Sequence, residues 1–171
     1  MYKSVVKLSF SIVLIILLYG CSSKKKQDNN FIGAWQLSEW HIDQGFDING
    51  DGVKSVNLLK EIHCPNKEVL IFEPHNVVLF NATFNPIINV LSTVNAPSTY
   101  DFNVDCDEQG GISHATSYSF EGGHLRLGDK DVKLENNKIS IIYKDKIKVY
   151  SQDSTEVIET KDLIVIYTKR D

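Results

Sequence analysis

The most visible chemistry in the chain is a run of oxygen-bearing side chains, Asp47-Ile48-Asn49-Gly50-Asp51-Gly52. Oxygens at the first, third and fifth positions, with glycine at the sixth, are how a backbone wraps a hard cation such as Ca²⁺. In that reading Asp47, Asn49 and Asp51 point inward, Gly52 makes the tight turn, and the Val53 carbonyl is the seventh-position ligand. The pattern then departs. Position twelve is Leu58 rather than a bidentate glutamate, and Glu61 substitutes only if the chain bends back. A structural Ca²⁺ site is one expectation. An Asx-rich turn is the other, because Asn-Gly and Asp-Gly are favoured turn dipeptides. No other cofactor is expected.

The remaining polar residues do not assemble into a catalytic pattern. His41, His63, His75, His114 and His124 include no pair at metal-ligand spacing on one element. Gly111-Ile112-Ser113-His114-Ala115 lacks the last glycine of a nucleophile elbow. Asp105, Asp107 and Glu108 around Cys106 read as an acidic turn. With no acid–base or nucleophile constellation, a protein without enzymatic activity is expected. Asp153-Ser154-Thr155 resembles a bacterial O-glycosylation acceptor, which makes Ser154 a candidate modification site.

The N-terminus reads as an address. Lys3 and Lys7 precede an almost wholly apolar run from Leu8 to Leu18. About eleven residues at ~1.5 Å each cannot cross a ~30 Å hydrocarbon layer, and the run has the length of a signal-peptide core. It ends in Leu18-Tyr19-Gly20-Cys21. This resembles the lipobox of bacterial lipoproteins, although Tyr19 stands where a small residue is commoner. The resemblance implies that residues 1–20 are removed and that Cys21 becomes an acylated N-terminus. Several acyl chains, at ~0.8 kcal/mol per buried CH₂, hold a protein on a membrane without a spanning helix. Residues 21–30 then form a polar tether with no apolar residue after the cysteine. No Asp follows Cys21 directly, so delivery to the outer membrane, on either face, is the expected location.

Losing Lys3 and Lys7 leaves 16 Lys+Arg against 22 Asp+Glu, a formal charge of −6 in place of −4. An acidic chain of this kind is not expected to bind nucleic acid. Once Cys21 carries lipid, Cys64 and Cys106 remain. In an exported domain such a pair most simply forms a disulfide. Metal ligation and free thiols are the alternatives, but the spacing matches no zinc motif.

Residues 31–171 must supply the fold, and at this length they make one domain. The whole chain is 42% hydrophobic and 23% charged, with eight Phe, seven Tyr and two Trp against one Met, which suits a β-rich core. Alternating segments recur at 35–40, 68–72, 76–81, 116–120, 124–127, 132–134, 138–143, 146–150 and 162–167. Asn, Gly and Asp punctuate them, including Lys144-Asp145 as an expected turn. Ser55–Ile62 alone looks helical, with Leu58, Leu59 and Ile62 on one face and Ser55 as cap. Asn85–Thr99 is apolar but irregular. The pattern predicts an antiparallel barrel of about eight strands with one short helix, or else a two-sheet β-sandwich.

Phe31-Ile32-Gly33-Ala34-Trp35-Gln36-Leu37 adds a resemblance. A Gly-x-Trp opening the first strand of such a chain resembles the lipocalins and the bacterial lipocalin-like lipoproteins. The likeness implies a lipocalin-like (calycin) barrel in which Trp35 plugs one end and Gly33 permits close chain approach. It also implies a disulfide, which Cys64 and Cys106 would match. A later Thr-Asp-Tyr-type motif is missing. The resulting expectation is a monomeric, lipid-anchored envelope protein whose barrel binds a small apolar ligand. The other reading is a structural lipoprotein whose loops contact an envelope protein or glycan. If Trp35, Leu37, Phe72, Leu79, Phe120, Ile141, Val149 and Val165 close the lumen, the carrier role fails.

Overall fold

The computed structural model describes residues 30–93, 99–106 and 111–170. The leader, Cys21, the tether up to residue 29, and Asp107 and Glu108 lie outside the described residues. Phe31–Asp171 forms one compact unit.

Among the described residues there are eleven strands. They are β1 (Gly33–Phe46), β2 (Ser55–Asn57), β3 (Val69–Glu73), β4 (Val77–Asn81), β5 (Ile87–Ser92), β6 (Tyr100–Asp105), β7 (His114–Glu121), β8 (His124–Leu127), β9 (Lys130–Glu135), β10 (Lys138–Tyr150) and β11 (Val157–Lys169). Eight of these form a ring in the order β11–β1–β3–β4–β7–β8–β9–β10, and β10 pairs back onto β11. Every pairing in the ring is antiparallel. Closure decides between the two predicted architectures: the protein is a barrel, not a sandwich. A barrel has no free edge to protect, and that is why hairpins can follow one another around it without a covering layer.

Short hairpins build most of the ring. At the β3–β4 turn His75 and Asn76 both adopt positive φ, 70° and 64°, which matches the right-handed twist of the flanking strands. Alternation buries Leu70 and Phe72 of β3, Leu125 and Leu127 of β8, Ile139 and Ile141 of β10, and Leu163, Val165 and Tyr167 of β11 in a single core.

β1 carries three large aromatic residues in turn, and each opens a different layer of that core. Trp35 lies beside Phe31, to whose carbonyl its indole N–H donates at 2.7 Å. Phe31 in turn packs edge-on against Phe72 and Tyr118, with ring centroids 5.5 and 5.4 Å away. Trp40 packs on Phe84 at 5.0 Å. Phe46 meets Tyr100 and Phe102, both at 5.2 Å. The last two residues belong to the β5–β6 hairpin, which joins the sheet through a short parallel pairing of Val90 with Val149.

Four local expectations are corrected. Lys144-Asp145 is not a hairpin turn. β10 runs through it as a bulge, with Asp145 at φ 51°, and stays paired to β11 on both sides. Asp162 anchors the bulge by accepting from Lys144 Nζ at 2.5 Å and from the Asp145 N–H at 3.1 Å. The helix expected over Ser55–Ile62 reduces to β2 and one 3-10 turn at Leu58–Lys60. Asn57, not Ser55, caps it: its side-chain oxygen accepts from the N–H of Leu59 and, at 3.0 Å, from that of Trp40. Pairing with β1 thus takes the residues that would have made the first helical turn. Part of the irregular Asn85–Thr99 segment is strand β5. Leu79 is half-buried, while its neighbour Val78 is fully buried, so β4 presents the opposite face from the one expected.

Candidate functional site

Glu68 immediately precedes β3, and β1 fixes its backbone. Its carbonyl accepts from the Leu37 N–H at 3.1 Å and from Gln36 Nε2 at 2.9 Å. These bonds sit at the β1 irregularity between Leu37 and Glu39. The side chain is thereby directed into the protein and is only 5% exposed. One carboxylate oxygen accepts from the Tyr167 hydroxyl of β11, and the other from the Phe84 N–H at 2.5 Å.

Burial sets the electrostatics. It pushes the Glu68 carboxyl above its ordinary range, and the bonds from Tyr167 and Phe84, with the nearby His114, only partly offset that. Tyr167 is raised far above the ordinary tyrosine range, first by burial and then by the charge and hydrogen bond of Glu68. Tyr143 of β10 is also raised, by burial and by Glu68.

These groups line a pocket of about 370 Å³. Trp40, Phe80, Phe84, Leu163 and Val165 supply its apolar walls; Glu68, Tyr143, Tyr167, His114 and Lys146 supply polar points. His114 stacks flat on Phe80, at 4.7 Å and 4°. The volume falls within the range of small-molecule sites, and an apolar lining with a few convergent polar groups is their usual composition. The Trp40 indole N–H is buried and has no hydrogen-bond partner. Leaving such a donor unmet costs about 1–3 kcal/mol.

The side chains expected to close the lumen are divided. Trp35, Leu37, Phe72, Ile141, Val149 and Val165 are buried in the core, whereas Leu79 and Phe120 are half-buried. Among the described residues, space remains in the pocket beside Trp40. A neighbouring cavity of about 530 Å³ shares Thr83, Phe84 and Asn85 with it. Cys64 and Cys106 line that cavity and are joined in a disulfide, with their Cα atoms 5.4 Å apart. The bond ties the segment before β3 to the end of β6.

The loop read as a candidate Ca²⁺ site is held by its own backbone. Asp47 Oδ2 accepts from the Gly52 N–H at 3.0 Å, Asn49 Oδ1 from the Asp51 N–H at 2.9 Å, and Asp51 Oδ1 from the Val53 N–H at 2.7 Å. Glu61 does bend back: its carboxylate accepts from the Ile48 N–H at 3.0 Å. Asp47 Oδ1 is buried without a hydrogen-bond partner. Among the described residues no group of three or more His, Cys, Asp or Glu is placed to hold a metal ion.

Gly33 sits at φ +118°, with open space where a Cβ would be. Its requirement is conformational, not the close chain approach that the family resemblance implied. The Lys169 ammonium lies 5.4 Å from the centre of the Trp35 ring. Ser154 is exposed at φ 60° in the β10–β11 connection, beside an Asp153 carboxylate that accepts from Ser151 and Thr155. Among the described residues no helix is long and apolar enough to cross a membrane.

Sequence reading missed Trp40, Glu68, Phe84 and Tyr167 as a group. The available signal was an acid set directly against the apolar run Val69-Leu70-Ile71-Phe72, with no opposite charge beside it on its burying face. Fold and pocket together define a lipocalin-like, eight-stranded antiparallel β-barrel with a pocket beside Trp40. Scanned against family models, curated proteins and solved structures, the chain matches none.

Proposed function

We propose that the protein is a lipid-anchored lipoprotein of the bacterial outer membrane whose barrel binds a small, largely apolar molecule. The pocket beside Trp40 carries this reading. It combines apolar walls with a buried carboxyl and an unmet indole N–H, a composition that suits a ligand better than a packed core. The lipobox-like Leu18-Tyr19-Gly20-Cys21 supports the anchor. The Cys64–Cys106 bond accords with an oxidising compartment outside the cytoplasm. In this role the chain performs no covalent chemistry; it shelters its ligand from water close to the membrane surface.

Two measurements test the reading. Metabolic labelling with palmitate should mark the wild type and leave a Cys21→Ser variant unmarked. Native mass spectrometry of the protein purified from its own membrane should find a bound small molecule. A protein that carries no ligand but brings down an envelope protein or glycan would replace the carrier with an interaction module.

A further inference from the structure

Asn49 is the single asparagine of the chain that precedes a glycine. The pair sits in the turn between β1 and β2, and both residues are exposed. The backbone amides of that turn are nearly all engaged. The N–H groups of Ile48 and Asn49 donate to Glu61 Oε2 at 3.0 and 3.5 Å. Those of Asp51, Gly52 and Val53 donate to Asn49 Oδ1, Asp47 Oδ2 and Asp51 Oδ1 at 2.9, 3.0 and 2.7 Å. Between Ile48 and Val53 the Gly50 N–H is the exception: among the described residues it donates to no group.

That nitrogen is the one able to attack Asn49. A backbone nitrogen directly after an asparagine can close a five-membered ring on the side-chain amide carbon, and this reaction is a main reason for the thermal lability of asparagine. Three features of the turn favour it. Gly50 has no Cβ to crowd the ring, and open space lies where one would stand. Its nitrogen has no hydrogen bond that attack must break. Asn49 Oδ1, where negative charge develops as the ring closes, already accepts from the Asp51 N–H. The Gly50 nitrogen gives its proton to hydroxide and bonds to Asn49 Cγ. The Cγ–Nδ2 bond breaks, and Nδ2 leaves as ammonia with a proton from water. Water then opens the succinimide at either carbonyl and leaves aspartate or isoaspartate at position 49.

Asp51-Gly52 provides a comparison within the same turn. The equivalent ring would need the Gly52 nitrogen, whose N–H is held by Asp47 Oδ2. The other asparagines precede residues that carry side chains, and Pro86 after Asn85 has no N–H at all.

We propose that Asn49 is a self-modification site, where the folded turn converts the carboxamide to a carboxylate without an enzyme and in one direction. The product puts acidic side chains at positions 47, 49 and 51 and removes the Nδ2 donor that Asp51 Oδ2 accepts at 3.2 Å. Like charges within one turn repel, so the modified turn is looser.

The test holds the full chain in nanodiscs at about 37 °C and pH 8 for weeks, with the same chain in urea as the unfolded reference. Peptide mass spectrometry follows each asparagine, with fragmentation that separates isoaspartate from aspartate. The peptide carrying Asn49 should gain about 1 Da, at least tenfold faster than any other asparagine and at least as fast folded as unfolded. Asn49→Gln should gain no mass at that position. Isoaspartate should be absent from position 51 in the wild type and appear there in Asp47→Ala, whose Gly52 N–H is free; circular dichroism checks that this variant is folded. Slower conversion of Asn49 in the folded chain than in urea overturns the proposal. So does as much isoaspartate at 51 as at 49 in the wild type, or a folded Asp47→Ala that stays unreactive at 51.

Discussion

Tyr167 donates its hydroxyl to the carboxylate of Glu68, a residue 99 positions earlier in the chain. The bond links β11, the last strand of the ring, to the residue that introduces β3, with β1 between those two strands. A buried acid is thereby held by a partner on a strand it does not pair with. Truncating that partner should be costly, because the acid stays behind. Tyr167→Phe leaves one oxygen of Glu68 without its donor, and a loss of about 1–3 kcal/mol in unfolding free energy is expected. Urea denaturation of both proteins at one pH measures it. In a Glu68→Gln background the same substitution should cost less, since no charge is then stranded.

The raised pKa of Glu68 gives stability a pH dependence of defined sign. Burial makes the folded chain hold this proton more tightly than the unfolded chain, whose carboxyl titrates near the ordinary 4.5. The contribution is therefore full below that value and is lost as pH rises through the folded pKa. Wild type should lose stability relative to Glu68→Gln across that window. Unfolding midpoints of the two proteins, taken from pH 4 to pH 8, should diverge in this direction; parallel curves would remove Glu68 as the cause.

The cross-link between Cys64 and Cys106 closes a loop with a sequence separation of 42. In the chain-entropy model such a loop is worth up to about 4 kcal/mol. Replacing both cysteines with serine should lower the unfolding free energy by an amount of that order. Because the bond borders the cavity next to the pocket beside Trp40, the same variant should also weaken binding of a small-molecule probe if the proposed function holds.

Gly111 is where chain approach admits no side chain. A Cβ there would lie 2.0 Å from the Thr83 carbonyl oxygen and 2.5 Å from the Ala82 carbonyl carbon, both backbone atoms. The backbone must move to accept alanine, and Gly111→Ala should cost about 1–3 kcal/mol as an overpacked site does. Thermal melts of wild type and Gly111→Ala should show the loss directly.

Asp47 organises its turn through the Gly52 N–H. Asp47→Ala should therefore lower the melting temperature by a few degrees even in excess chelator, at the ~1 kcal/mol typical of a lost capping-type bond. A cation would add a second signature: a wild-type melting temperature that rises with millimolar Ca²⁺, and a variant that does not respond.

Much of the barrel can be read along the chain because hairpins are local. Alternation at 116–120 and 124–127, divided by Gly122-Gly123, specifies which residues pair before any distant contact forms. The Gly-x-Trp at Gly33–Trp35 and the cysteine pair are legible for the same reason: each is a matter of residue type. Where reading failed, the deciding neighbour was remote. Lys144-Asp145 has the composition of a turn, yet Asp162 holds it as a bulge within one long strand. Ser55–Ile62 has a helical face, yet pairing of β2 with β1 and the Asn57 bond to the Trp40 N–H take its first residues.

The pocket beside Trp40 belongs wholly to the second kind. Its walls come from β1, β4, the segment around Phe84, β7, β10 and β11, and these meet only when the ring closes. Residue order settles the strand class and most of the bends, because those depend on neighbours within a few positions. Which acid is buried, which indole is left without a partner and how much space lies between them depend on contacts across the barrel. Such contacts are long-range in sequence, and no periodicity along the chain encodes them.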